Sequence, residues 1–232
     1  MQTKKIKTVK LLLCLILLPG MAAHSQTRLG IRAELNAAYV HVANEASSGR
    51  GSICRPGIGL VADIPLASKI YLQPVLAYSG KGFSQDDSWF AHMGNHLKVS
   101  ASYIEMPVSL VYKQELGAGK LLVGAGPYIA YGTGGRWKTK YDITSDDIVL
   151  SENHGSVIFK KDITDGGFNN YLYGQPWDYG ASFLLGYEFL KRFTLQAGFR
   201  LGAADLKRMY FGKERDGTLQ NRGVGIGAGI YF

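Results

Sequence analysis

Outside the first 25 residues the chain carries the histidines His41, His92, His96 and His154. Beside a serine, an imidazole takes the hydroxyl proton and creates a nucleophile, the chemistry of a lipid hydrolase or acyltransferase. Ser88, Ser151 and Ser156 are candidates for such a pairing, and none stands in a motif that fixes one. His92 and His96 would hold a metal from one face of a helix, but Met93-Gly94-Asn95 between them reads as loop. Gly117-Ala118-Gly119-Lys120 lacks the first glycine of a phosphate loop and the Ser or Thr that follows its lysine. The Gly-x-Gly-x-Gly run at 225–229 lacks the helix that a dinucleotide site opens. These residues assign no catalytic group, no metal and no cofactor, and the chain reads as a protein that is not an enzyme.

A second set of polar residues is more orderly. Arg32, Glu34, Asp63, Gln73, Lys81, Glu105, Asp178, Glu188, Gln196, Arg200 and Arg222 recur in segments that alternate with apolar residues. The last segment sets Val224, Ile226, Ala228, Ile230 and Phe232 against Gly223, Gly225, Gly227, Gly229 and Tyr231. That is the period of a strand, not of a helix. Residues 193–203 repeat it, with Phe193, Leu195, Ala197, Phe199 and Leu201 opposed to Thr194, Gln196, Gly198, Arg200 and Gly202. The same alternation, with more noise, predicts strands over 29–41, 57–66, 70–82, 99–112, 120–132 and 177–189. Pro74 argues against the third of the eight.

No apolar stretch reaches the length of about 18 residues that a spanning helix needs. A chain of this kind crosses a membrane only as a closed barrel, whose sheet leaves no backbone group unpaired. Connection lengths agree. Short links at Ala67–Lys69, Lys113–Gly119 and Leu190–Lys191 alternate with long ones at 43–55, 83–97, 134–175 and 207–220, as the two sides of a bacterial barrel do. Tyr39, Tyr78, Tyr131 and Trp177 fall near one set of strand ends, and Tyr112, Tyr187 and Phe193 near the other, which suits two interfacial girdles. The fold class expected is all-β: a transmembrane antiparallel up-and-down β-barrel of about eight strands, with long extracellular loops and both termini periplasmic.

The N-terminus fits export to the bacterial cell outer membrane. Lys4, Lys5, Lys7 and Lys10 precede the apolar run Leu11–Leu18, Pro19-Gly20 and the small-residue stretch Met21–Ser25, a secretory signal expected to be cleaved before Gln26. Residues 26–232 then form one barrel domain. The formal charge of +8 comes from 26 basic and 18 acidic residues. Without the four leader lysines the balance is 22 to 18, or +4, so nucleic acid is not an expected partner. Cys14 has no lipoprotein context, and Cys54, left alone, supports no disulfide or zinc framework.

A barrel of this size is filled by its own side chains. The lumen residues Arg32, Glu34, Asp63, Glu105, Asp178, Glu188, Arg200 and Arg222 are therefore expected to pair as a structural plug, the alternatives being a narrow solute channel or a lipid-modifying enzyme at the rim. Segment 134–175 is too long to be idle. Its strand-like pieces, Trp137–Ile143 and Ser156–Ile163, suggest a hairpin that continues the wall, and function is expected there. Lys138, Lys140, Lys160 and Lys161 are placed to meet lipopolysaccharide, although Asp142, Asp146, Asp147, Asp162 and Asp165 equally suit a solvated tip. An unknown protein partner at the loops is the other expectation.

Ser25-Gln26, Tyr103-Ile104-Glu105-Met106-Pro107, Gly124-Ala125-Gly126-Pro127-Tyr128 and the glycine-rich close on Tyr231-Phe232 give the chain its likeness. Through them it resembles the PorT-type outer-membrane β-barrel family of Bacteroidetes. The resemblance implies a C-terminal signal for the barrel-assembly machinery at Ile226, Ile230 and Phe232. Some members of that family are linked to protein secretion and gliding; these motifs describe architecture and assign neither.

Overall fold

Alternation alone accounts for most of the architecture. The computed structural model describes residues 26–42, 50–86, 96–145, 148–165, 169–209, 211–213 and 217–232. The leader reading, Ser88 and His92 lie outside these residues. Eight strands make the wall: β1 Arg28–Val42, β2 Ile53–Ala67, β3 Ile70–Gln85, β4 Leu97–Leu116, β5 Gly119–Lys138, β6 Trp177–Phe189, β7 Phe193–Gly202 and β8 Leu219–Tyr231. Each pairs antiparallel with the next, and β8 returns to β1, from Gly30 opposite Tyr231 to Val42 opposite Leu219. Arg28 pairs with Asp63, and the register followed strand by strand comes back to β1 at Ala38, opposite Gly223. That stagger tilts the strands and sets a narrow bore.

The two faces are inverted relative to a protein dissolved in water. Leu35, Ile58, Leu60, Leu76, Leu110, Leu185, Leu195 and Ile226 are each more than half exposed on the outside, while Asp63, Glu105 and Asp178 are fully buried within. Such a belt is stable where hydrocarbon replaces water.

Short and long connections alternate, but two strands are longer than their sequence suggests. The link expected over Lys113–Gly119 shrinks to Gly117-Ala118, with Gly117 at φ 60. The reason is that Lys113 keeps the inward parity of Glu105 and Ser109 and is buried with them. At the other end β4 begins at Leu97, ahead of 99, and β5 runs on beyond 132, pairing Ser100 with Arg136 and Lys98 with Lys138 past a bulge at Thr133. Pro74 does lie within β3, opposite Val108, and the ladder is interrupted beside it on both sides because proline lacks the N–H.

Segment 134–175 only partly continues the wall. Trp137 and Lys138 end β5, Ile143 belongs to a small hairpin of Ile143–Ser145 and Ile148–Ser151, and His154–Ile158 pairs with 135–138. Beyond Ile158 the chain leaves the wall and enters the barrel mouth. Phe159, Tyr171 and Tyr173 drive this turn, since they find an apolar lining of Phe83, Val99, Tyr103 and Leu206 inside the barrel. Tyr103 and Tyr173 meet the Phe159 ring edge-on, at 5.6 and 5.9 Å. Gly132 has to be glycine here, because a Cβ would lie 2.1 Å from that ring.

Candidate functional site

The lumen holds two layers of charge beneath the aromatic plug. Nearest the short turns, Arg28 of β1, Asp63 of β2, Lys113 of β4 and Glu188 of β6 form a closed square. Arg28 donates to Asp63 at 2.6 Å and to Glu188 at 2.8 Å; Lys113 donates to the same two carboxylates at 2.7 and 2.9 Å. Two cations and two anions cancel. Gln73 satisfies the other Asp63 oxygen at 2.8 Å and also donates to the Tyr231 hydroxyl at 3.1 Å. Full pairing of this kind is what makes buried charge tolerable.

The middle layer is asymmetric. Lys81 Nζ lies 2.8 Å from both Glu105 and Asp178, over the faces of Tyr128 and Tyr103. Arg200 meets Glu105 at 2.6 Å and Glu34 at 2.8 Å, and donates to Asn36 at 3.0 Å. Asn221 donates to Asp178 at 3.0 Å and accepts from the Tyr173 hydroxyl at 2.7 Å, so the plug is wired to this layer. Small cavities of about 40 and 20 Å³ lie between these side chains in the bore.

Six of the eight lumen residues singled out by parity, Glu34, Asp63, Glu105, Asp178, Glu188 and Arg200, thus meet in these layers. Arg32 lines a cavity instead, with its Nε and Nη2 buried without a hydrogen-bond partner. Arg222 does not belong to the lumen set: it stands opposite Tyr39 and Leu201, in the outward row of Val224 and Ile226, and Asn221 beside it takes the inward place. Parity also had the means to find Arg28 and Lys113. Both continue an inward series by one residue past the expected strand ends. Asn36 shares the inward parity of Arg32 and Glu34, and Asn221 that of Gly223 two residues on, though neither was singled out; Tyr173 carried no comparable signal.

At the mouth, His96 bonds Asp86, and His154 lies 3.0 Å from Asn153 Oδ1 and 3.6 Å from Glu152. His41 ends β1. Among the described residues no histidine bonds a serine hydroxyl, and no group of three side chains is arranged to ligate a metal. The acids of the long segment serve its own folding where described: Asp142 accepts from the Asn153 N–H, and Asp162 from the N–H groups of Thr164 and Gly212. Those backbone donors hold the Asp162 carboxyl below its usual range, Thr164 most of all. Ile226, Ile230 and Phe232 share the outward face of β8, Ile226 and Phe232 about two-thirds exposed.

A family model described as outer membrane protein beta-barrel domain matches residues 24–208. Among curated proteins, none matches the sequence. Several solved structures align along most of the chain at low similarity. The crystal structure of Ail, the attachment invasion locus protein of Yersinia pestis, in complex with the heparin analogue sucrose octasulfate, is 12% identical, with 90% of this chain and 100% of that one covered and a TM-score of 0.40. Neisserial surface protein A gives 13% identity, the same coverage and a TM-score of 0.42. A major outer membrane protein of Thermus thermophilus gives 9%, again with 90% and 100% covered, and 0.45.

Proposed function

The chain belongs to the outer membrane protein beta-barrel domain family, and from that premise we propose that it is a closed, non-catalytic barrel with a structural or surface-interaction role. Its place is the outer membrane. In this reading residues 1–25 are a cleaved leader, both termini face the periplasm and the long connections face outward. The assembly machinery receives the chain through Ile226, Ile230 and Phe232. The PorT-type kinship is part of the same proposal, carried by Tyr103–Pro107 and Gly124–Tyr128, which stand side by side with Pro107 opposite Tyr128.

The observation that carries the reading is the filled bore. Two layers of paired charge and an aromatic plug leave cavities no larger than a water or two. A barrel closed in this way acts through its surface, so protein or lipopolysaccharide partners are sought at the loops and the outer wall. An enzyme reading would need a nucleophile and a base at the rim, whereas His96 bonds Asp86 and His154 lies against Asn153.

Planar bilayers test the closure. Folded protein is expected to insert without discrete conductance steps, and reproducible steps that survive repurification would replace this reading with a channel.

A further inference from the structure

Where β4 and β5, flanked by β3 on one side, rise toward the long connections, their outward face carries cations that the lumen does not use. Leu97, Val99 and Trp137 are buried, so the intervening Lys98, Ser100, Arg136 and Lys138 face outward. Lys98 is paired opposite Lys138 and Ser100 opposite Arg136. On the far side of β5 the strand His154–Ile158 sets His154 opposite Lys138 and Ser156 opposite Arg136. Two rows result across three strands, one Lys-Lys-His and one Ser-Arg-Ser.

Like charges opposed on neighbouring strands destabilise a sheet unless an opposite charge joins them. Among the described residues neither lysine nor Arg136 has an ion pair, and the Ser100 hydroxyl is buried without a partner. Glu152 pairs with His154, at the end of the row farthest from Lys98. Among the described residues the surface therefore has positive charge to spare, with no acid paired to Lys98, Arg136 or Lys138.

Its height names the class of anion. Lower on the same face Tyr78, Ile104, Tyr131 and Trp177 are paired in one row, with Tyr131 and Trp177 edge to face at 4.9 Å, the kind of girdle that marks a membrane interface. Arg136 stands five residues beyond Tyr131, one of them taken up by the bulge, so the rise equals the four residues from Ile104 to Ser100 on β4, about 10 Å at ~3.3 Å per residue and a tilt of ~40°. That is above the headgroup layer of a plain phospholipid, roughly 5–8 Å deep, so a larger, sugar-bearing headgroup is the kind that reaches it.

We propose that this patch binds a phosphate of a phosphorylated glycolipid in the outer leaflet. Arg136 forks onto two phosphate oxygens, as guanidinium geometry favours. Ser156 donates from beside it, and Lys98 and Lys138 neutralise the remaining charge. The proposal rests on the outward orientation of the long connections given above.

The test uses the full mature barrel, folded in dodecylmaltoside micelles and titrated with bis-phosphorylated lipid A under native mass spectrometry. The wild type is expected to retain one lipid A. K98S/R136S/K138S is expected to bind about 10-fold or more weakly, and K98R/K138R like the wild type. K160S/K161S, which removes as much charge as two of the three sites, is also expected to bind like the wild type. Heat-modifiable gel mobility establishes that each variant is folded, and Arg136→Ser alone replaces the triple variant if it is not. Equal binding by the triple variant, equal binding of dephosphorylated lipid A, or an equal loss in K160S/K161S overturns the site. Emptying of the site by excess inorganic phosphate also overturns it, since a free anion would then suffice. Protease shaving of intact cells reads the orientation separately: cleavage within 139–176 combined with failed lipid binding removes the site and leaves the orientation standing.

Discussion

The Tyr173 hydroxyl donates a 2.7 Å hydrogen bond to Asn221 Oδ1, joining the chain that enters the barrel mouth to the strand that closes the barrel. Asn221 passes the contact on to Asp178, which also receives Lys81. Tyr173→Phe removes the donor and leaves a buried amide oxygen unpaired, at a cost of about 1–3 kcal/mol. The wall does not depend on this bond, so heat-modifiable mobility is expected to persist. Cleavage between Phe159 and Tyr173 by added protease is expected to accelerate, and an unchanged digestion rate would refute the tether.

Gly132 offers a steric route to the same plug. Its missing Cβ is the space that the Phe159 ring occupies. Gly132→Ala is expected to displace Phe159 and expose 159–173 to protease as Tyr173→Phe does, while Phe159→Ala in the same chain restores the fit of the backbone but not the plug. Hydrogen exchange across Asn170–Leu172, which pairs with Ser156–Ile158, distinguishes an unseated plug from a collapsed wall. Fast exchange limited to these residues is the expected result.

Lys113 sits 2.7 Å from Asp63 and 2.9 Å from Glu188, with all three side chains almost wholly buried. Lys113→Met leaves Arg28 to balance two carboxylates. Removing one partner of a buried network typically costs about 3–5 kcal/mol, and the lower end is expected here because Arg28 remains. Urea unfolding in micelles measures the loss. Adding Glu188→Gln removes the surplus charge and is expected to recover part of it; a double variant less stable than Lys113→Met alone would count against charge imbalance as the cause.

How much of this was legible in the sequence follows from parity. A period of two places every inward and outward residue once a strand is recognised, so Glu105, Asp178 and Leu185 fall on their correct faces without a structure. Parity says nothing about where a strand stops. Lys113 and Arg28 were lost for that reason, since a charge at the end of an alternation looks like a turn until its carboxylate partners on β2 and β6 are known. The plug was illegible for a different reason. Phe159, Tyr171 and Tyr173 show no periodicity, and their pocket is assembled from residues on β3, β4 and the segment after β7, far apart in the chain. The Lys98 and Lys138 patch depends on register across two strands, which no single segment displays.

Phe232 stands on the lipid-facing side of the seam, about two-thirds exposed, and its N–H donates to the Leu29 carbonyl at 2.8 Å. The backbone bond survives Phe232→Ala, while the apolar ring does not. Assembly in cells is therefore expected to fall further than the stability of barrel refolded in micelles. Comparing outer-membrane yield with the urea midpoint separates the two, and equal small effects on both would remove the assembly role.

Asp162 links two of the long connections. Its carboxylate accepts the Thr164 N–H at 2.9 Å and also that of Gly212, while the Met209 N–H donates to the Lys161 carbonyl at 2.7 Å. These donors favour the ionised form and hold the pKa below the ordinary 3.8. A carboxyl lowered on folding contributes stability that is complete above its ordinary value and is lost as the pH falls through the lowered one. The clasp should therefore be indifferent to pH from neutral down to about the ordinary carboxylate range, then release on further acidification, with the Thr164 and Gly212 amides exchanging faster in step. Asp162→Asn keeps one acceptor oxygen but removes the charge, so it should loosen both amides at neutral pH and abolish the acid transition. A transition at the same pH in Asp162→Asn would assign it to another group and leave the two connections joined by their backbone bond alone.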